Sequence, residues 1–227
     1  LFLPAFLGSP LPDFRPLDTQ ERKEEFFAFL DPIIDEVSAD VLEQREFVDS
    51  VAARVANGNG ISWRERRRLA NLAEYYEVLL DGFDYETEVL PALQQRIDVV
   101  PRSLILIQAA KESGWGTSRF ALQGNNLFGQ RCYSPNCGLA PAGVENPNFN
   151  VATFGSVQGS VSSYVRNLNT HPQYAGFRRM RETLRRDGRT LSGMILADNL
   201  LDYSERGADY VAEIKAMIAQ NALEPGD

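Results

Sequence analysis

The stretch PRSLILIQAAKES, Pro101 to Ser113, is apolar or small almost all the way round, with Leu104, Ile105, Ile107, Ala109 and Ala110 at its centre. Pro101 suits the first turn of a helix, where its missing N–H costs nothing. A helix with no polar stripe cannot lie at a surface, so this segment predicts a central, buried helix around which other elements pack.

The flanking segments read as that packing. Asp18 followed by Glu21 forms a capping box, and Phe26, Phe27, Leu30, Ile33, Ile34 and Val37 recur at helical spacing, which predicts a long helix bent at Pro32. The pattern resumes through Val41, Phe47, Val48, Val51 and Val55 and stops at the breaker NGNG, 57–60. Ser62 and Glu65 make a second capping box opening a helix through Leu69, Leu72, Tyr76 and Leu79, with Trp63 expected to pack. TEVLPALQQRI reads as a further helix. Between Cys132 and Phe154 the chain turns Gly-, Pro- and Asn-rich, with strand-like pieces such as FNVATF, and predicts a small β-hairpin lobe. Helices return after Ser156: Val161, Tyr164, Val165 and Leu168 share one face, MRETLRRDG reads as a polar surface helix, and ADYVAEIKAMIAQNAL closes the chain. The arginines from Arg178 to Arg186 read as a solvated face open to anionic strands. The expected class is mostly α (α+β), with a helical arm over 1–84 packing on a catalytic domain over 85–227.

Charge and composition narrow the chemistry. The formal net charge is -8, which argues against the basic footprint of a nucleic-acid-binding surface. His171 is the lone histidine and Cys132 and Cys137 the two cysteines, too few for a three-ligand zinc centre or a Ser-His-Asp triad. His171, placed before Pro172, reads as a structural hydrogen-bonding residue ending a helix. The spacing in CYSPNC permits a small bridged loop or two reduced thiols; a bridge would indicate an oxidising compartment. No apolar run reaches the length of a membrane span. The chain opens at Leu1 rather than Met, so an export signal is expected to be absent from this sequence.

Chemistry concentrates in KESGWGTSRFALQGNNLFGQRC, Lys111 to Cys132. Glu112 shares a helix face with Leu104 and Gln108 and lies at the helix C-terminus, where partial burial and the dipole both favour a protonated carboxyl group. Such an acid can deliver a proton to a glycosidic oxygen. Gly114 and Gly116 permit close backbone approach, Trp115 offers a flat apolar face, and Asn125 and Asn126 offer amides suited to sugar hydroxyls or N-acetyl groups, with Phe128 either lining the site or buried.

AAKESGWGTSRFALQGNNLFG resembles the signature of the bacterial peptidoglycan-cleaving glucosaminidases, glycoside hydrolase family 73, in which an E-S-x-W-G-x-S helix end precedes a G-N-N-L-F-G turn. GQRCYSPNCG, NLNTHPQY and DYSERGADYV extend the likeness to the periplasmic Bax-type branch of that family. The resemblance implies a lysozyme-like helical domain with a small β-lobe, no cofactor, peptidoglycan strands or fragments as partner, and hydrolysis of the β-1,4 bond between N-acetylglucosamine and N-acetylmuramic acid. It makes Glu112 the general acid and Tyr203, in YSERGADY, the family's cleft tyrosine, while Tyr210 is expected in the core. The chain departs from the family's usual A-T-D-P between these tyrosines, carrying SERGA instead. Glu145, in GVENPNF, is the acid between Cys132 and Phe154 and so the candidate second carboxylate; the substrate's 2-acetamido group could replace it. A lytic transglycosylase or muramidase, or a wall-binding module without turnover, are the competing expectations.

Overall fold

The first helix begins where its cap predicts. In the computed structural model, which describes residues 10–79, 81–134, 137–141 and 148–224, the Asp18 carboxylate accepts from the backbone N–H of Glu21 at 2.9 Å and the Glu21 carboxylate accepts from Asp18 N at 3.4 Å. Helix α1 then runs over Thr19–Ala56, with Pro32 inside it depriving the carbonyl four residues back of its donor. Ser62 and Glu65 complete the second capping box, and α2 spans Trp63–Tyr75. A single π-helical turn, Tyr85–Val89, leads into α3, Leu90–Arg96. The remaining helices are α4 (Arg102–Ser113), α5 (Arg119–Gly124), α6 (Val157–Thr170), α7 (Ala175–Arg186), α8 (Gly193–Leu196) and α9 (Ala208–Gln220). Strands β1 (Arg131–Cys132) and β2 (Asn150–Val151) pair antiparallel, Arg131 opposite Val151 and Cys132 opposite Asn150. The protein is therefore mostly α with a small hairpin, the expected class. No helix among the described residues is long and apolar enough to cross a membrane.

The chain forms two compact units. One comprises Pro101–Tyr164 with the chain up to Val37 and from Glu213. Its centre is α4, in which Leu104 to Ala110 are all buried, as a helix without a polar stripe requires. Phe14, Phe26, Phe27 and Trp115 form an aromatic cluster with ring centroids 5.4–5.9 Å apart for its Phe14–Phe26, Phe26–Trp115 and Phe27–Trp115 pairs. Gly116 belongs to this cluster: at φ 73° it lies so close to Phe14 that an added Cβ would come within 2.8 Å of the ring. The hairpin is tied by a Cys132–Cys137 disulfide with Cα atoms 6.0 Å apart. Directly after it, Gly138 at φ 68° lets the chain cross over Val151, whose carbonyl oxygen would sit 1.9 Å from a Cβ.

The other unit comprises Ser38–Val100 and Val165–Ala212. Val48, Val51, Leu69, Leu93, Ile97, Phe177, Leu184 and Leu196 supply its apolar core. Within that core sits a charge. Arg181, 1 % exposed, donates to the carbonyls of Asp98, Val99, Gln95 and Arg96 and to Oδ1 of Asn169, and lies 3.8 Å from the Asp98 carboxylate. Arg185 grips the same carboxylate through Nε and Nη2 at 3.1 and 2.8 Å, and Arg45 stands 3.3 Å away. Burial pushes the Asp98 pKa up, but the Arg185 hydrogen bonds and the charges of Arg181 and Arg45 outweigh it, so the net direction is down. Arg181 itself is lowered to about 10 by its burial.

Three expectations are corrected here. The arginines from Arg178 to Arg186 are not one solvated face, since Arg178 and Arg181 are buried; they share the side of α7 that carries Phe177 and Leu184. Arg178 donates to the carbonyls of Leu168 and His171, using the C-terminal end of α6 where a carboxylate would otherwise serve. Trp63 does not pack: it is 70 % exposed, because the buried stripe of α2 passes through Leu69 and Ala73 instead, and the Arg64 guanidinium lies 5.3 Å from its ring. Leu79 is likewise exposed, lying past the end of α2.

Candidate active site

Glu112 occupies the last turn of α4 and is half-buried. The helix stops behind it in a Schellman arrangement. Gly114 takes the left-handed conformation at φ 58°, and the N–H of Trp115 closes back on the Ala110 carbonyl at 2.7 Å. Ser113 reinforces the stop, its hydroxyl donating to Ala109 O at 2.6 Å and accepting from Gly116 N at 2.8 Å. Trp115 also has a positive φ, 58°, so the turn that ends the helix sends its half-buried indole against Phe26 and Phe27, with the Lys23 ammonium 5.3 Å above the ring.

Ser118 then caps the short α5, and Asn125 ends it in the left-handed conformation at φ 50°. The GNNLFG turn that follows is held by its own amides. Asn126, 2 % exposed, donates from Nδ2 to the carbonyls of Gln130 and Ala152, both at 2.9 Å, and accepts at Oδ1 from the N–H groups of Phe128 and Gln130. Asn125 donates to Phe154 O at 2.9 Å. These bonds tie the turn to the strand side of the hairpin, so both amides serve the loop's own backbone. Phe128 is buried and stacked on Tyr164, centroids 4.1 Å apart and rings 14° from parallel. The Tyr164 hydroxyl donates to Oε1 of buried Gln108, the residue one helical turn before Glu112.

That scaffold delivers Gly129 to the acid. Gly129 is exposed, with φ 66°, and a Cβ built on it would lie 3.8 Å from Oε2 of Glu112. The two halves of the sequence motif therefore meet in space: the carboxyl group from the helix end faces backbone that carries no side chain to cover it. Glu112, Trp115 and the GNNLFG turn all belong to this one unit. The Gln108–Tyr164–Phe128 stack beneath the turn was not anticipated as a unit; the polar Gln108 inside an otherwise apolar helix was its signal.

Tyr203 belongs to the other compact unit. It ends the 3-10 turn Leu201–Tyr203, is half-buried, and stacks on buried Tyr210 with centroids 5.6 Å apart and rings 13° from parallel. Tyr174 lies 6.3 Å from it, its phenol pushed up to about 12 by burial. His171 caps the turn containing Tyr174 by accepting at Nδ1 from Gln173 N, the structural role its position before Pro172 suggests. Glu145 lies outside the described residues.

The comparisons with known proteins agree with the motif. Residues 88–223 match the model of the glucosaminidase family, described as mannosyl-glycoprotein endo-beta-N-acetylglucosaminidase. The chain is 36% identical over 217 residues to Protein bax of Escherichia coli (strain K12), an alignment covering 94% of this chain and 75% of that protein. No solved structure matches. A family match over more than half of the chain, joined to a relative that aligns with nearly all of it, places this protein in the glucosaminidase family.

Proposed function

We propose that the chain is a peptidoglycan hydrolase, an endo-β-N-acetylglucosaminidase that cleaves the β-1,4 bond between N-acetylglucosamine and N-acetylmuramic acid with Glu112 as general acid. The observation that carries this reading is the meeting of Glu112, on the last turn of a buried helix, with the side-chain-free Gly129. A carboxyl group held there beside open backbone is placed to give a proton to an incoming glycosidic oxygen. Glu112 gives its proton to that oxygen, the anomeric C–O bond breaks, and water supplies the hydroxyl at the anomeric carbon and the proton that restores the acid.

Attack on the anomeric carbon has two routes in this sequence: water activated by Glu145, or the substrate's own 2-acetamido group, oriented by Tyr203. Stacking of Tyr203 on Tyr210 fixes the plane of its ring, which suits an orienting residue. Trp115, Asn125, Asn126 and Phe128 shape the saccharide site in this reading, the two amides by holding the loop. The Cys132–Cys137 bridge supports a periplasmic setting, since such bonds persist in oxidising compartments.

The test is digestion of purified peptidoglycan by the full chain and by Glu112→Gln, with mass spectrometry of the products after borohydride reduction. Reduced N-acetylglucosamine ends that disappear in the variant are expected, with thermal stability unchanged. Anhydro-muramic ends would transfer the protein to transglycosylase chemistry. A folded wild-type chain that binds glycan strands and yields no products would make it a wall-binding module.

A further inference from the structure

The unit formed by Ser38–Val100 and Val165–Ala212 contains a pocket of ≈ 330 Å³ whose lining includes Arg45, Asp98, Arg181, Glu182, Arg185 and Arg186. Four guanidinium groups and two carboxylates line it, with Asp49 3.4 Å from Arg45 and Asp187 3.5 Å from Arg186. The groups divide into spent and open. Arg181 at the floor gives both Nη1 and Nη2 to backbone carbonyls and Asn169. Glu182 accepts from Gln95 Nε2 at 2.9 Å. Arg185 uses Nε and Nη2 on Asp98, and Arg45 uses Nη1 on the carbonyls of Gln94 and Ile97 and Nε on Asp49. That leaves Nη1 of Arg185, Nη2 of Arg45 and most of Arg186, whose side chain is 73% exposed beside Asp187, without a hydrogen-bond partner among the described residues.

Asp98 fixes the Arg185 guanidinium and stands 3.3 Å from Arg45, and the carbonyls of Gln94 and Ile97 hold Arg45 as well, so that the remaining N–H groups of both have set directions. Three partly open guanidinium ends around one concavity, two of them anchored, form an array matched to the paired oxygens of an oxyanion.

We propose that this pocket binds a small oxyanion, a carboxylate- or phosphate-bearing molecule held by Arg45, Arg185 and Arg186. None of these residues belongs to the proposed catalytic set, so the site stands or falls independently of the hydrolase reading.

Isothermal titration of the full chain with sodium citrate and, separately, with orthophosphate, at ionic strength held constant with chloride, tests it. Saturable one-site binding of at least one anion is expected, and which of the two binds assigns the ligand to carboxylate or phosphate chemistry. Arg186→Gln should weaken binding and Glu182→Gln strengthen it, each by about fivefold, the effect of one unit charge at about 4 Å in a solvated site. Neither variant touches the Asp98 cluster, and both should melt with the wild type. Absence of saturable heat with both anions, or affinities unmoved in both variants, would overturn the proposal.

Discussion

Replacing Asp98 by Asn should destabilise the protein by about 3 kcal/mol at neutral pH. Removing one member of a buried ion pair costs about 3–5 kcal/mol because the surviving charge stays in the interior. Here that charge is Arg181, whose side chain is 1% exposed, and the pair is buried on both sides, the Asp98 side chain being 3% exposed. The low end of the range applies because Arg181 keeps its bonds to four carbonyls and Asn169 whatever stands at the Asp98 side chain. Arg185 and Arg45 add little, since both reach solvent and can be rehydrated. The same carboxylate makes the effect pH-dependent. Its folded pKa lies below the ordinary value of 3.8, so its contribution is fully present above 3.8 and is lost as pH falls through the folded value. Urea unfolding of wild type and variant across an acid series should therefore show a large gap at neutral pH that closes in strong acid. A gap below about 1 kcal/mol at neutral pH, or one that persists unchanged into strong acid, would refute the reasoning.

Other substitutions probe other parts of the structure. Gly138→Ala should lower the melting temperature, since a Cβ there would meet the Val151 carbonyl at 1.9 Å from a positive φ; backbone strain alone of this kind costs about 1–3 kcal/mol, and calorimetry would read it. Tyr164→Phe removes a donor to buried Gln108 and should cost about 1–2 kcal/mol in chemical denaturation, while the ring that carries Phe128 and the GNNLFG turn stays in place and glycan turnover by the folded variant is retained. Trp63→Ser should shift stability by no more than about 0.5 kcal/mol, the behaviour of an exposed side chain, and a larger loss in the same assay would mean that the indole is covered in solution.

What the sequence made legible was local. Capping boxes at Asp18 and Ser62 involve residues three apart, so their geometry follows from the chain itself. The burial of α4 followed from its lack of any polar stripe, and the hairpin from its turn residues. Partners distant in sequence stayed hidden. Asn125 and Asn126 read as groups for a sugar, and their acceptors Phe154 and Ala152 lie 29 and 26 residues on, just past β2, which no local pattern announces. Arg181 read as solvated because arginine usually is. Its carbonyl acceptors, on Gln95, Arg96, Asp98 and Val99, lie 82 to 86 residues away, and the clue was its position on the same helix face as Phe177 and Leu184. For the candidate site, the motif singled out Glu112, while the approach of that residue to Gly129 required the fold.

The interleaving of the two units has a consequence for biogenesis. One draws on residues from the beginning, middle and end of the chain, and the other on two stretches of which the later ends at Ala212. A chain emerging from a ribosome or a translocation pore cannot complete either unit until most of its length is out, so folding has to wait on synthesis rather than accompany it. Many of its contacts span long loops, which slows folding further. No single cut yields an independent half. Trimming from either terminus takes residues out of the unit that holds Glu112, so shortened forms are expected to be caught by chaperones or proteases instead of surviving as minimal enzymes.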